Sequence, residues 1–174
     1  MRDYVIETER LILRPLTVED CDAVFEWAGD ADVARYMVYT VYTSRDKLKE
    51  WLRSLREGGT EISFGFERKT DRKLIGSGGI GPDARKNGFW GFGYNLRKDC
   101  WGEGYATEAA KAMIRFANER FGAKSFCSSH AEPNKSSGRV MEKCGLHFVA
   151  YGEFSMLDGS CRMRSMEYEG ELFP

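Results

Sequence analysis

The 174-residue chain has no run of eighteen apolar residues, so no membrane-spanning helix and no membrane partner are expected. The N-terminus reads Met1-Arg2-Asp3-Tyr4, with charges where a secretory leader needs an apolar stretch. Histidine is scarce. His130 and His147 are too few to anchor a metal centre without carboxylate help, and they read as ordinary polar residues near strand ends. Cysteine offers no framework either. Cys21, Cys100, Cys127, Cys144 and Cys161 are odd in number, scattered and free of any Cys-x-x-Cys pair. Free thiols in a reducing cytoplasm are the expectation, with no zinc and no disulfide. Charge of one sign is missing too: 26 basic residues stand against 27 acidic, a net charge of -1. A nucleic acid would therefore need a local basic patch. The densest basic stretch, Arg68 to Lys73, contains Asp71 and reads as a solvated strand turn, so no nucleic-acid partner is expected.

What is present suits a protein with a real core. Hydrophobic residues make up 42% and charged residues 30%, and the length fits one domain over residues 1–174. Leu11-Ile12-Leu13, between Arg10 and Arg14, suits a first strand. Thr17 with Asp20 resembles a capping box, and Cys21, Val24, Phe25 and Ala28 then recur at helical spacing. A second helix is predicted from Thr43 or Ser44, with Leu48, Trp51, Leu52 and Leu55 as its stripe and Gly58-Gly59 as its stop. Glu61 to Arg68, Lys73 to Gly81 and Gly88 to Leu96 read as three strands. They are rich in glycine, which marks either close approach of a ligand or twisted strands rescued by aromatics. A long helix is predicted from about Gly104 to Phe121, then a strand over Lys124 to Ala131 and a short helix over Lys135 to Cys144. Two strands, near Leu146–Leu157 and Cys161–Tyr168, close the chain. The order implies a mixed α/β fold around a central sheet.

The stretch Tyr94-Asn95-Leu96-Arg97-Lys98-Asp99-Cys100-Trp101-Gly102-Glu103-Gly104-Tyr105-Ala106-Thr107-Glu108-Ala109 carries the chemistry. A strand ends, a loop with two glycines follows, and a helix begins. The first turn of a helix leaves its N–H groups unpaired at the positive end of the dipole. Small residues there let an anion such as a pyrophosphate approach. Alone, Gly-x-Gly before a helix is weak, since it lacks the Gly-Lys-Ser/Thr of a P-loop and the third glycine of a dinucleotide fingerprint.

Three motifs together say more. Trp101-Gly102-Glu103-Gly104-Tyr105-Ala106-Thr107-Glu108-Ala109 resembles the acetyl-CoA pyrophosphate loop of the GNAT superfamily, in the branch that includes ribosomal-protein N-terminal acetyltransferases. Glu9-Arg10-Leu11-Ile12-Leu13-Arg14-Pro15-Leu16 resembles the same branch. So does the series Asn134, Ser137, Val140, Glu142, Lys143, Gly145 and Leu146. The resemblance spans about Glu7 to Tyr168. It implies a seven-stranded, mostly antiparallel sheet splayed like a V, flanked by about four helices, with the pantetheine arm between the fourth and fifth strands. It implies that Asn95 and Leu96 offer backbone groups to that arm. Trp101, Gly102, Glu103, Gly104, Tyr105, Ala106 and Thr107 would form the pyrophosphate loop, with the Glu103 side chain turned to water. Asn134 would bond the arm, and Arg139 and Lys143 would lie near the nucleotide end or simply be helix-surface charges. Ser137 would sit near the thioester sulfur as donor of a proton to the leaving thiolate.

Acetyl-CoA is thus expected as co-substrate, with no metal, and a primary amine as acceptor, either a small molecule or a protein N-terminus. Direct attack in a ternary complex gains from proximity, and an N–H near Leu96 suits the oxyanion. Other points stay open. His130, Glu132, Glu153 or bulk water could serve as base. Tyr36, Tyr39, Tyr42 and Trp51 could be an acceptor wall or core. Another acyl-CoA could be the donor, and the chain could be a monomer or a homodimer. Relatives often carry Glu where Gly91 stands here, which leaves a catalytically silent acyl-CoA sensor as the alternative.

Overall fold

The computed structural model describes residues 4–55 and 59–173. Met1 to Asp3, and Gly58 of the expected helix stop, lie outside the described residues. Among these residues eight strands form one sheet: β1 (Ile6–Glu7), β2 (Leu11–Arg14), β3 (Ile62–Arg68), β4 (Leu74–Pro82), β5 (Phe89–Leu96), β6 (Ser125–Ala131), β7 (His147–Ser155) and β8 (Arg162–Glu171). Their order is β1-β2-β3-β4-β5-β6-β8-β7. Every neighbouring pair is antiparallel except β5 and β6, which run parallel. Among the described residues five α-helices accompany them: α1 (Cys21–Ala28), α2 (Ala31–Ala34), α3 (Arg45–Ser54), α4 (Tyr105–Phe121) and α5 (Lys135–Lys143).

The mixed α/β fold is the expected one, and the counts differ by small elements. The strand beyond the expected seven is β1, two residues long, pairing Ile6 with Leu13. A two-residue strand leaves no alternation to read. The added helix is α2, a single turn started by Asp30, whose carboxylate accepts from the Asp32 and Val33 N–H groups. At the expected capping box, the Asp20 carboxylate accepts from the Thr17 N–H at 2.8 Å. Trp27 takes the fully buried place on α1, while Phe25 is only half-buried.

The sheet carries a core on each face. Phe64 and Phe66 of β3 join Met113 and Ala117 of α4 in one cluster, together with Phe92 of β5 and Phe126 of β6. Gly65, between the two phenylalanines, faces Leu16 and Leu74, which pack with Val24, Trp27, Leu48 and Leu52 of α1 and α3. The i, i+4 stripe Ala109, Met113, Ala117 is completely buried, and its alanines let α4 lie close along the sheet. Truncating Met113 to Ala should cost about 2–5 kcal/mol. This packing fixes the start of α4 beside the end of β5, where the loop glycines lie.

Candidate active site

The site begins where the sheet forks. Parallel pairing of β5 with β6 runs only from Phe89↔Ser125 to Gly91↔Cys127. The Ser128 hydroxyl then donates to the Phe92 carbonyl at 2.8 Å, and beyond it the strands part. In an antiparallel pair, consecutive residues turn their backbone groups to opposite edges. Arg97 N–H donates to Ile75 O and Asp83 N–H to Phe89 O, so the odd-numbered positions of β5 bond β4. The backbone groups that face the open fork are therefore those of Tyr94 and Leu96. This corrects the expectation for Asn95, whose backbone faces β4 and whose Oδ1 accepts from Ser77 N–H and Oγ at 3.2 and 3.0 Å. The Leu96 carbonyl already accepts from the Trp101 indole at 3.0 Å, which leaves its N–H for the fork.

The loop after β5 is held from two sides. The Trp101 bond ties it to the strand end. Gly102 and Gly104 have φ of 82° and 84°, a left-handed backbone that glycine enters without a Cβ penalty. The first helical bond of α4 is Glu108 N–H to Gly104 O, so the N–H groups of Tyr105, Ala106 and Thr107 have no partner within the helix. From the other side comes Arg10. Its N–H and Nε donate to the Glu108 carboxylate at 2.8 and 2.7 Å, and its Nη1 donates to the Glu103 carbonyl at 2.9 Å. Its guanidinium lies 4.4 Å from the Tyr105 ring centroid, and the Thr8 hydroxyl donates to Glu108 at 2.6 Å. Burial pushes the Glu108 carboxyl up, but the hydrogen bonds from Thr8 and Arg10 together hold it below its ordinary value. The motif around Arg10 is thus a brace for the loop, a role that spacing alone did not show. Glu103 itself is exposed.

A groove of about 860 Å³ runs along this loop, with Leu96, Trp101, Gly102, Gly104 to Thr107, Asn134, Ser137 and Arg139 on its walls. Arg139 and Lys143, both exposed on α5, stand along it. Asn134 precedes the first turn of α5, and its carbonyl accepts from Ser137 N–H at 3.1 Å. The Tyr94 hydroxyl donates within 3.2 Å of the Ser137 carbonyl and 3.3 Å of its Oγ. Desolvation, the larger influence, raises the Tyr94 phenol well above its ordinary value despite the Ser137 contact.

A second cavity of about 560 Å³ adjoins the groove and shares Tyr36, Met37, Tyr94, Asn95, Asn134 and Ser137 with it. Tyr36, Tyr39, Tyr42 and Trp51 line this cavity, and Tyr42 and Trp51 also pack on the α1–α3 core. The Tyr39 hydroxyl is buried and has no partner among the described residues. His130 also lines the cavity and is only 4% exposed. Its Nδ1 contacts the Ala131 carbonyl at 2.8 Å, which assigns the proton to Nδ1. Nε2 is buried without a partner among the described residues and faces Gly138. The other two candidates for a base are engaged at the surface. Glu132 is paired twice with Arg164, at 2.9 and 2.7 Å, and Glu153 lies 3.7 Å from Arg162.

Sequence reasoning singled out neither Tyr94 nor Glu61, which lines the second cavity. Strand alternation through Leu96 could have found Tyr94. Glu61 gave no signal, because it stands just before a strand, where charge is ordinary. Among the described residues no group of three His, Cys, Asp or Glu side chains could hold a metal ion, and no helix is long and apolar enough to cross a membrane. All five cysteines are free.

Residues 10–147 match the acetyltransferase (GNAT) domain family. The chain is 30% identical over 112 residues to the uncharacterized N-acetyltransferase p20 of Bacillus licheniformis, an alignment spanning 63% of each chain, just under two thirds of that relative. Among solved structures, a GNAT-family acetyltransferase from Bacillus anthracis superposes with a TM-score of 0.83 at 22% identity, covering 97% of this chain and 98% of that one. The microcin C7 self-immunity acetyltransferase MccE, solved with acetyl-CoA and AMP, gives 0.81 at 15% identity, covering 95% and 94%. With the family match spanning most of its length, the chain belongs to the GNAT acetyltransferases, whose acyl donor is acetyl-CoA.

Proposed function

We propose that the chain is an N-acetyltransferase that moves the acetyl group of acetyl-CoA onto a primary amine by direct attack in a ternary complex. The observation that carries this reading is the meeting of the two cavities at Tyr94, Asn134 and Ser137. One cavity has the features of a donor groove, with a helix N-terminus at its end. The other offers a separate chamber from which a second substrate reaches the same point.

In this reading the pyrophosphate lies against Gly102, Gly104 and the N–H groups of Tyr105, Ala106 and Thr107, where unpaired donors and the α4 dipole favour negative charge. Arg139 and Lys143 attract the phosphates of the nucleotide end. The pantetheine arm enters the fork and bonds Tyr94 and Leu96 as an added strand would, with Asn134 on the opposite wall. The Leu96 N–H suits the oxyanion, and holding both reactants at the fork supplies most of the rate. The amine nitrogen forms a bond to the thioester carbon, and the carbon–sulfur bond breaks. The thiolate takes a proton from the Ser137 hydroxyl, whose oxygen can be resupplied from Tyr94.

The test is a thiol-release assay with acetyl-CoA and a panel of small amines and N-terminal peptides, beside calorimetry with acetyl-CoA. Binding with turnover is the expected result. Binding without turnover on any amine would leave the silent sensor, and no binding would remove both readings.

A further inference from the structure

Resting on that reading, we propose that Glu61 is both the anchor for the acceptor's cationic nitrogen and the base that takes its proton. The acceptor is then a small amine with one positive charge and an aromatic or branched apolar body.

Four glycines shape the sheet around Glu61. Glu61 directly precedes β3, and its Oε1 occupies the place that a Cβ on Gly79 would take. Its Cα stands 2.8 Å from where a Cβ on Gly81 would be. A side chain at Gly79 would displace the carboxylate, and one at Gly81 would displace the Thr60–Glu61 backbone that carries it. The register continues across the sheet, with Gly79 paired to Gly93 and Gly81 to Gly91. Neighbouring strands lie about 4.8 Å apart, so Gly93 is one step from the carboxylate toward the fork. A Cβ on Gly93 would meet nothing within 4 Å, and Gly93 is exposed although β5 is a central strand. The floor beside the Glu61 carboxylate is therefore bare at Gly93, and the same cavity reaches Tyr94 and Ser137. That is space for a nitrogen to pass from the carboxylate to those two residues. Relatives often carry a glutamate where Gly91 stands; here Asp83 lies 3.2 Å from the Cβ position of Gly91 and is held by the Arg85 and Lys86 N–H groups. The carboxylate over this floor comes from β3.

Charge and shape then define the ligand. Glu61 is the only Asp, Glu, Lys or Arg on the cavity wall among the described residues. Among the described residues no ion pair or hydrogen bond compensates it, and burial pushes its carboxyl up. An ammonium at that point would supply the missing partner. Much of the remaining wall is aromatic or aliphatic, with Tyr39 and Tyr42 ring centroids 5.9 Å apart and Tyr42 and Trp51 6.4 Å apart. A polyamine or aminoglycoside would leave its further cations in this apolar chamber without counter-charges. An amine bearing a carboxylate would set a second anion near Glu61.

The proton balance is complete. The ammonium gives one proton to Glu61, which releases it to water. The neutral nitrogen attacks the thioester carbon and the carbon–sulfur bond breaks; the thiolate takes the Ser137 proton, and the second proton lost by the nitrogen as the amide forms returns through water to the Ser137–Tyr94 pair. The other titratable groups facing the cavity are Tyr36, Tyr39, Tyr42, Tyr94 and His130. Burial raises Tyr39, Tyr42 and Tyr94, and a His130 variant serves as the control for Glu61.

The test compares 2-phenylethylamine and isopentylamine with spermidine, an aminoglycoside and a free N-terminal peptide, using wild type, Glu61→Gln, Gly93→Leu and His130→Gln. The apolar monoamines should have a kcat/KM at least tenfold above the others. Glu61→Gln should lower it about a hundredfold, within the usual range for a general base, and abolish the acid limb of its pH profile. His130→Gln should keep that limb. Gly93→Leu fills open space, so it should fold and raise the amine KM tenfold. Acetyl-CoA affinity should be unchanged in both the Glu61 and Gly93 variants. A preference for spermidine or peptide would overturn the substrate class. A Gln variant with wild-type turnover and pH profile would overturn the role of Glu61. In either case acetyl-CoA binding and amine transfer by wild type would show that the parent reading stands.

Discussion

Gly104→Ala separates fold strain from loss of the donor site. The backbone at Gly104 has φ of 84°, and an added Cβ would lie 3.5 Å from Arg10 Nη2, an ordinary contact. The cost therefore comes from the left-handed conformation, about 1–2 kcal/mol for a residue with a Cβ. For a chain of this size that lowers the melting temperature by roughly 2–8 °C. If the loop relaxes to escape the strain, the N–H groups of Tyr105 to Thr107 turn away from the pyrophosphate. Binding should then weaken about tenfold, or 1.4 kcal/mol. At an acetyl-CoA concentration a hundred times the wild-type Kd, the ligand stabilises wild type by about 2.7 kcal/mol. The same concentration is only ten times the variant's Kd and gives about 1.4 kcal/mol, roughly half the shift. Melting scans with and without acetyl-CoA, beside calorimetry, read both quantities. A variant that melts earlier but keeps the full ligand shift and the wild-type Kd would refute the pyrophosphate loop.

Ser137→Ala should lower kcat by roughly tenfold to a hundredfold with the acetyl-CoA KM nearly unchanged, the pattern of a group that acts only in the transition state. Full turnover under chemistry-limited conditions would reduce Ser137 to a helix-start residue. Glu108 sits below its ordinary value, so its brace on the loop contributes stability above about pH 4.5, lost as pH falls through the folded value. Glu108→Gln should accordingly be less stable than wild type in neutral urea melts, with the gap closing in acid; a gap independent of pH would contradict the brace. Glu61 sits above its ordinary value, so the sign reverses: its ionisation disfavours the folded protein as pH rises above about 4.5. Glu61→Gln should be the more stable protein at neutral pH without ligand, an advantage that disappears in acid, as paired denaturant melts at the two pH values would show.

The parts of this molecule that were legible in the sequence share a property: each is encoded locally. The stripe Ala109, Met113, Ala117 announces α4, and Gly102 with Gly104 announces the turn into it, because the residues that cooperate lie within a few positions of each other. The Asn134–Ser137 spacing reads the same way. What escaped was set by pairing between distant segments. Asn95 was expected at the fork beside Leu96, yet consecutive strand residues point to opposite edges, and only the register with β4 says which is which. Arg10 and Glu108, 98 positions apart, meet only after β2 is laid beside α4. β1 and α2 are too short to carry a period at all.

Glu61 shows why such a site hides. Nothing distinguishes a glutamate before a strand until the sheet places Gly79 beneath its carboxylate and Gly93 one strand further on. The glycine richness of β4 and β5 was visible and had two readings, ligand approach or twisted strands, and the structure divides them by position. Gly76 and Gly78 face Leu96, Phe66 and Met113, so their lack of a side chain admits core packing. Gly79 and Gly81 admit Glu61, and Gly93 keeps a floor open. A carboxylate with no compensating partner among the described residues, set over Gly79 beside the opening at Gly93, costs the free protein stability. That asymmetry is what ties Glu61 to a ligand rather than to the core: removing its charge should stabilise the empty protein and disable the loaded one, whereas a purely structural glutamate would lose on both counts.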